Sequence, residues 1–295
     1  MRRALAAFCL LCGLSPSAVP SAGAQSPVWA VHGARNTVYL AESVHLLKSG
    51  ESTLPPAFDR AYTASRTIVM ELDLSRLDAD AMQSWMMAHG MLPEATTLRQ
   101  TVGDRVYQRV AAEAGRLGLP IELMQRLEPW VVALTLADAE YLKLGYDPDQ
   151  GVERQIERRA ERDGKEIRGL ETLDEQLGQL EHLTPEQQSR FLDLTVDEMH
   201  DAEHDTDDLL SAWRAGDTRK LAELLSSDYQ SFPELYRALV TDRNARWLPQ
   251  IERFLADDHD YLVIVGALHL VGPGGLLELA RRDGLTVTPV VTAGR

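Results

Sequence analysis

Tyr261-Leu262-Val263-Ile264-Val265-Gly266-Ala267-Leu268-His269-Leu270 is the stretch that decides the fold. It is a short, unbroken apolar run closed by glycine, as expected of a strand covered on both faces rather than one with a wet side. A second segment near the other end repeats its layout: Val38-Tyr39-Leu40-Ala41-Glu42-Ser43-Val44-His45-Leu46. Each reads as an apolar strand, a break, two residues, then His-Leu. Thr67-Ile68-Val69-Met70 is a third buried run, followed at once by Glu71. In α/β sheets, ligands and chemistry gather just past the carboxyl ends of such strands. His45, His269 and Glu71 are therefore candidates for one shared polar site, if their strands are neighbours.

Working outward, Val28–Val31 and Thr37–Ala41 read as strands joined by the turn-like Gly33-Ala34-Arg35-Asn36. Leu54-Pro55-Pro56 opens a helix through Ala64, with the prolines in its first turn, where they are tolerated. From about Asp78 to Leu255 the period is helical, as in Val106, Val110, Ala114 and Leu117, or Leu221, Leu224 and Leu225. Only Lys165–Gly169 breaks it with a possible strand. Gly151–Asp163 reads as an exposed helix whose mixed charges pair across turns. After Tyr261–Val265 come a Gly/Pro turn at Gly272–Gly275, a helix from Leu276 to Arg282 and a last strand at Leu285–Val291. The expected fold class is α/β: a central mixed sheet built from the N- and C-terminal segments, with a large helical insertion or cap over about 78–255.

The first 24 residues read as an export leader. Arg2 and Arg3 precede the apolar run Ala4–Leu14 and a small-residue stretch ending Ser21-Ala22-Gly23-Ala24. The run is shorter than the roughly 20 residues that span a bilayer. Cleavage near Ala24 would leave residues 25–295 as a single mature domain in the periplasm or secreted. Both cysteines, Cys9 and Cys12, lie in the leader, so the mature chain has no thiol chemistry. Losing Arg2 and Arg3 takes the formal charge from −15 to −17. Such an acidic chain is a poor binder of nucleic acid, which needs a basic surface. No remaining apolar run is long enough for a membrane span.

Taken together, these segments resemble the TraB/GumN family, whose bacterial members are related to the Tiki membrane proteases and, more distantly, to erythromycin esterases and haem-binding ChaN-like proteins. The resemblance runs over PVWAVHGARNTVYLAESVHLL, LPPAFDRAYTASRTIVMELD, RGLETLDEQL and VTDRNARWLPQIERFL. It closes on YLVIVGALHLVGPGGLLELARRDG. It implies a Gly-x-x-His motif at each end, a Glu after the intervening strand, and metal-dependent protease activity in the Tiki branch. By position, His45, Glu71 and His269 are the metal-binding counterparts, for Mn²⁺, Co²⁺ or Zn²⁺. Glu71, Arg243 and Asn244 are implied to serve catalysis, and Glu42, Ser43 and Gly266 to line the substrate. Glu42 stands where the family usually has glycine and Ser43 where threonine is common, so Glu42 would narrow the site or add a carboxylate to it.

The resulting expectation is an exported metal-dependent hydrolase acting on a peptide or small molecule, with two imidazoles and a carboxylate leaving a position open for water. Arg243 would meet a developing oxyanion. Without a metal, one His would act as general base on water, as in an esterase. The alternative is a non-catalytic binding or accessory protein on the same fold, holding haem or a metal. Two weaker signals compete. His200-Asp201-Ala202-Glu203-His204 fits the H-x-x-E-H zinc pattern, yet its acidic flanks read as a solvated helix. Asp257–Asp260 reads as the polar turn before the last buried strand, and Gly272–Gly275 lacks the lysine of a phosphate loop.

Overall fold

The computed structural model describes residues 26–51, 53–73, 79–227 and 232–291. The expected leader and its cleavage site lie outside the described residues. Six strands form one sheet in the order β6-β4-β7-β2-β1-β8. They are β1 (Val28–His32), β2 (Thr37–Ser43), β4 (Thr67–Met70), β6 (Glu166–Gly169), β7 (Tyr261–Gly266) and β8 (Val287–Pro289). β6, β4, β7 and β2 run parallel, while β1 is antiparallel to both β2 and β8. Two further short strands, β3 (Leu47–Lys48) and β5 (Tyr146–Asp147), pair apart from the main sheet.

β7 is the centre of this arrangement. Every one of its residues is buried, which is why it carries no polar alternation. Leu262 is level with Tyr39 of β2 on one side and Ile68 of β4 on the other. The turn between β1 and β2 is held by Asn36, whose amide donates to the Phe254 and His259 carbonyls at 2.7 and 2.8 Å. Asp260 accepts from the Thr37 backbone N–H, so the polar run before β7 anchors the opposite end of the sheet.

The helical middle is more closely built into the sheet than a detached cap would be. β6 adds a parallel edge strand to β4. The core under the sheet takes side chains from both ends of the chain and from the middle, among them Ile156, Ala160, Trp213 and Trp247. A second cluster, around Val106, Val110, Leu136 and Leu192, belongs to the middle alone. The helix Val152–Asp163 is not exposed all round. Val152, Ile156 and Ala160 form a buried stripe at four-residue spacing that joins the main core. The last strand is shorter than the apolar run suggested, Val287–Pro289, because only those residues pair with β1. Among the described residues, no helix is long and apolar enough to cross a membrane.

Candidate functional site

The carboxyl ends of β2, β7 and β4 emerge side by side, with Ser43 level with Gly266 and Met70 level with Ile264. Glu71 leaves β4 there and is buried. Its Oε1 accepts the Gly266 backbone N–H at 2.7 Å. Its Oε2 accepts from Gln176 Nε2 at 2.8 Å and from Arg243 Nη2 at 2.6 Å. Burial alone pushes this carboxyl up, but His269, the Arg243 and His45 cations and the Gly266 N–H outweigh it and leave it at about 2. Glu71 is thus a fixed anion.

Arg243 comes from the helix Asp242–Phe254, entered through a π-helical turn at Arg237–Thr241. Its Nε donates to both oxygens of Glu171, at 2.9 and 3.2 Å, and Nη1 donates to the Leu239 carbonyl at 3.1 Å. The guanidinium lies 4.7 Å from the ring centre of Trp247. The same Nη1 is 3.0 Å from His269 Nε2. Asn244, one residue on, donates its amide to the carbonyls of His269 and Gly274 at 3.0 and 2.9 Å. That fixes Asn244 Oδ1 toward His269 Nδ1, 2.8 Å away. The network therefore assigns the imidazole proton to Nδ1 and leaves Nε2 accepting from Arg243. Burial, helped by the Arg243 charge, holds His269 down at about 4, so it is neutral at neutral pH.

His45 stands in the loop after β2 and is the open member of the group, with 66% of its side chain exposed. Its Nδ1 meets Glu153 Oε1 at 2.8 Å, and the Ser43 hydroxyl donates to the same oxygen. Glu153 sits in the first turn of the helix Val152–Asp163, tied to this loop by a backbone bond from Val152 N–H to the Val44 carbonyl at 3.1 Å. The approach is close: a Cβ on Gly151 would fall 2.2 Å from the His45 carbonyl oxygen. The Glu153 carboxylate raises His45 to about 9. Burial pushes Glu153 up, but His45 and Ser43 together draw it below its ordinary value.

His45, Glu71 and His269 converge on the space in front of Gly266, where a methyl group would already be in tight contact. A Cβ added at Gly266 would stand 3.3 Å from Glu71 Oε1, 3.4 Å from His45 Nε2 and 3.7 Å from His269 Cδ2. This space opens into a cavity of about 430 Å³ lined by Ser43, Arg243 and several leucines. A smaller cavity of about 220 Å³ lies on the other side and shares His45, Glu71 and Gln176. Gly266→Ala fills the shared space without touching β7 pairing. The expected result is a wild-type melting temperature with any turnover at this site lowered tenfold or more, on the order of the loss for an ångström-scale misplacement; an activity left unchanged would show that the space is not used.

Seven of the eight residues singled out in the sequence meet here: Ser43, His45, Glu71, Arg243, Asn244, Gly266 and His269. Glu42 does not. The pleat turns it to the face opposite Ser43, where it is fully buried and neither carboxylate oxygen has a hydrogen-bond partner. Burial raises it to about 8; the Trp29 indole is near enough to soften the charge but lies outside hydrogen-bond geometry. A carboxyl raised from 4.5 to about 8 holds its proton longer folded than unfolded, so stability falls as pH rises through that window. Between about pH 5 and about pH 8, wild type is expected to lose about 3 kcal/mol more than Glu42→Gln. Urea titrations of both proteins at the two pH values measure this, and equal losses would contradict it.

The implied metal set of His45, Glu71 and His269 does not fit this arrangement. Glu71 gives both oxygens to N–H donors, and His269 Nε2 faces a guanidinium, which stays cationic. Among the described residues, no three His, Cys, Asp or Glu side chains are grouped to hold a metal ion. His200 lies in the break between the helices Pro185–Glu198 and Ala202–Ala215, so it shares no helical face with His204. The two are largely exposed and lie beside different acids, Glu113 and Asp208, as the surface reading expects.

Sequence reasoning missed Glu153, Glu171 and Gln176. Glu153 adjoins the Val152–Ile156–Ala160 stripe and Glu171 lies two residues past β6, but neither position by itself separates a site carboxylate from a surface one.

The comparisons with known proteins bear on the whole assembly. The family model described as TraB/PrgY/gumN family matches residues 27–289, which span the main sheet and all the residues above. The chain belongs to the TraB/PrgY/gumN family. Within this family it is similar to the uncharacterized protein YbaP of Escherichia coli (strain K12), 23% identical over 243 residues, which cover 82% of this chain and 87% of that one. The Shigella flexneri protein of the same name matches to the same extent. No solved structure matches this TraB/PrgY/gumN chain.

Proposed function

We propose that this protein is an exported hydrolase that activates water with His45 to cleave an ester or amide. The observation that carries this reading is the Glu153–His45 pair, with Nε2 beside the space in front of Gly266. Glu153 accepts from Nδ1–H, which leaves Nε2 as the basic atom and stabilises the imidazolium formed in the reaction. This is the role a carboxylate plays toward histidine in serine hydrolases. Ser43 fixes Glu153 in turn. The water oxygen bonds to the substrate carbonyl carbon as its proton passes to His45 Nε2. The bond to the leaving group then breaks as that proton passes from Nε2 to the leaving oxygen or nitrogen, giving a carboxylic acid and an alcohol or amine. Arg243 has its N–H groups committed to Glu171, the Leu239 carbonyl, His269 and Glu71, so its part is to hold Glu71 and His269 in place around the reacting space.

No step is assigned to a metal, because a guanidinium stands at His269 and Glu71. The test is turnover of ester and peptide substrates by purified protein, with and without a chelator. Chelator-resistant turnover abolished by His45→Ala supports the reading. Turnover that requires Mn²⁺, Co²⁺ or Zn²⁺ and is lost on chelation would overturn its metal-free chemistry. No turnover, with haemin binding instead, would favour a binding protein. Export rests on the Arg2-Arg3 leader pattern; a periplasmic product starting at Gln25 is the expected mass.

A further inference from the structure

The large cavity beside His45 has a one-sided chemistry. Five half-buried leucines line it: Leu46, Leu209, Leu225, Leu239 and Leu268. They come from separate places in the chain: the loop after β2, the helices Ala202–Ala215 and Thr218–Ser227, the π-helical turn and the short helix Ala267–Leu270. Leucines left half-buried by separate elements yet facing one space make an apolar tunnel wall, not a packing accident at one helix. A second cavity of about 310 Å³ continues it, with Tyr141, Thr206, Leu209, Leu225 and Leu268 common to both walls. Ionisable groups stand only towards the two ends of this path: His45, Glu71 and Arg243 at the strand-end mouth, and Glu140, Glu198 and Asp205 at the far end.

We propose that the substrates are esters of unbranched fatty acids, with the acyl chain lying along the leucine-lined cavity and its carbonyl at Gly266. This rests on the hydrolase reading and names its substrate class. An uncharged chain matches the apolar wall, and the acids at the far end disfavour any anionic group there. The carbonyl is thereby left at the strand-end mouth, beside His45. The smaller cavity, bordered by Pro148, Glu153 and Arg154, is left for the alcohol portion.

The experiment has two arms, both on the full mature protein. The first measures kcat/KM for p-nitrophenyl esters from acetate to decanoate, below micelle-forming concentrations. Each added CH₂ that finds the wall is expected to raise kcat/KM roughly three- to fourfold, and Leu209→Asn and Leu239→Asn to reduce that slope. The second measures binding of butyrate, hexanoate, octanoate and decanoate by calorimetry, with affinity rising with length. Ester turnover with no chain-length slope overturns the acyl-chain inference and leaves the hydrolase intact. Length-dependent binding without turnover of any ester does the reverse. A slope that both leucine variants leave unchanged would place the chain elsewhere and also overturn the inference.

Discussion

Glu153→Gln is expected to lower kcat/KM by about 10²–10⁴-fold at its best pH, the range associated with losing an acid–base partner, while the fold survives. The larger signature is in the pH profile. Wild-type His45, held at about 9 by the Glu153 carboxylate, is mostly protonated at neutral pH, so activity rises with pH toward that value. In Glu153→Gln the anion that stabilised the imidazolium is gone, and the midpoint moves down toward the ordinary histidine value of 6.5. A purely structural role for Glu153 would lower activity evenly and leave the midpoint where it was. His45→Ala removes the base and should show no such midpoint at all. Rates of the three proteins across pH are the measurement; an unmoved midpoint in Glu153→Gln sinks the assignment of His45 as base.

Arg243→Ala has the largest expected effect on stability. It strips the partner from two carboxylates at once: the Glu171 side chain is 1% exposed and that of Glu71 10%. Removing one partner of a buried ion pair typically costs 3–5 kcal/mol, because a charge is left buried without compensation. Glu71 and Glu171 then titrate upward, and a carboxyl raised by folding is destabilising as pH rises. The loss should accordingly be smaller at about pH 5 than at about pH 8. The same substitution frees His269 Nε2 and removes one of the two donors on Glu71 Oε2, beside His45. Zn²⁺ is expected to raise the melting temperature of Arg243→Ala and to leave wild type unmoved. Stoichiometric zinc on wild type, lost in His45→Ala/His269→Ala, would show that the guanidinium yields to a metal after all.

What the sequence made legible follows from how many neighbours a residue needs to declare itself. β4 was bounded correctly because Ile68–Met70 is an unbroken apolar run opened by a β-branched Thr67, and all four residues are buried. Glu71 stood out because it directly follows such a run, and His45 and His269 because each comes a few residues past one in the same layout. Glu153 was hidden by its setting. In GVERQIERRAERD any acid is a plausible surface partner for the arginines around it, and only the position of β2 shows which one turns inward. Gln176 and Glu171 needed the same tertiary knowledge, since their partners lie 105 and 72 residues away. Glu42 was misjudged for a related reason: its neighbours in sequence reach the cavity, but the period-two alternation of a strand sends it the other way. The metal set was legible as three donors, and the arginine between two of them was not.

β7 enters the sheet between β4 and β2, and its Gly266 N–H bonds to a carboxylate 195 residues earlier. Neither β2 nor β4 can complete its parallel pairing until that late segment has arrived. Contacts of such sequence separation make for slow folding, and an incompletely synthesised chain carries two unsatisfied strand edges, an aggregation risk. It also lacks Gly266 and His269 of the strand-end cluster, which follow the helical middle. Whatever the strand-end cluster does is therefore acquired in a single late event, and a chain truncated before Tyr261 is expected to lack it as well as to be unstable.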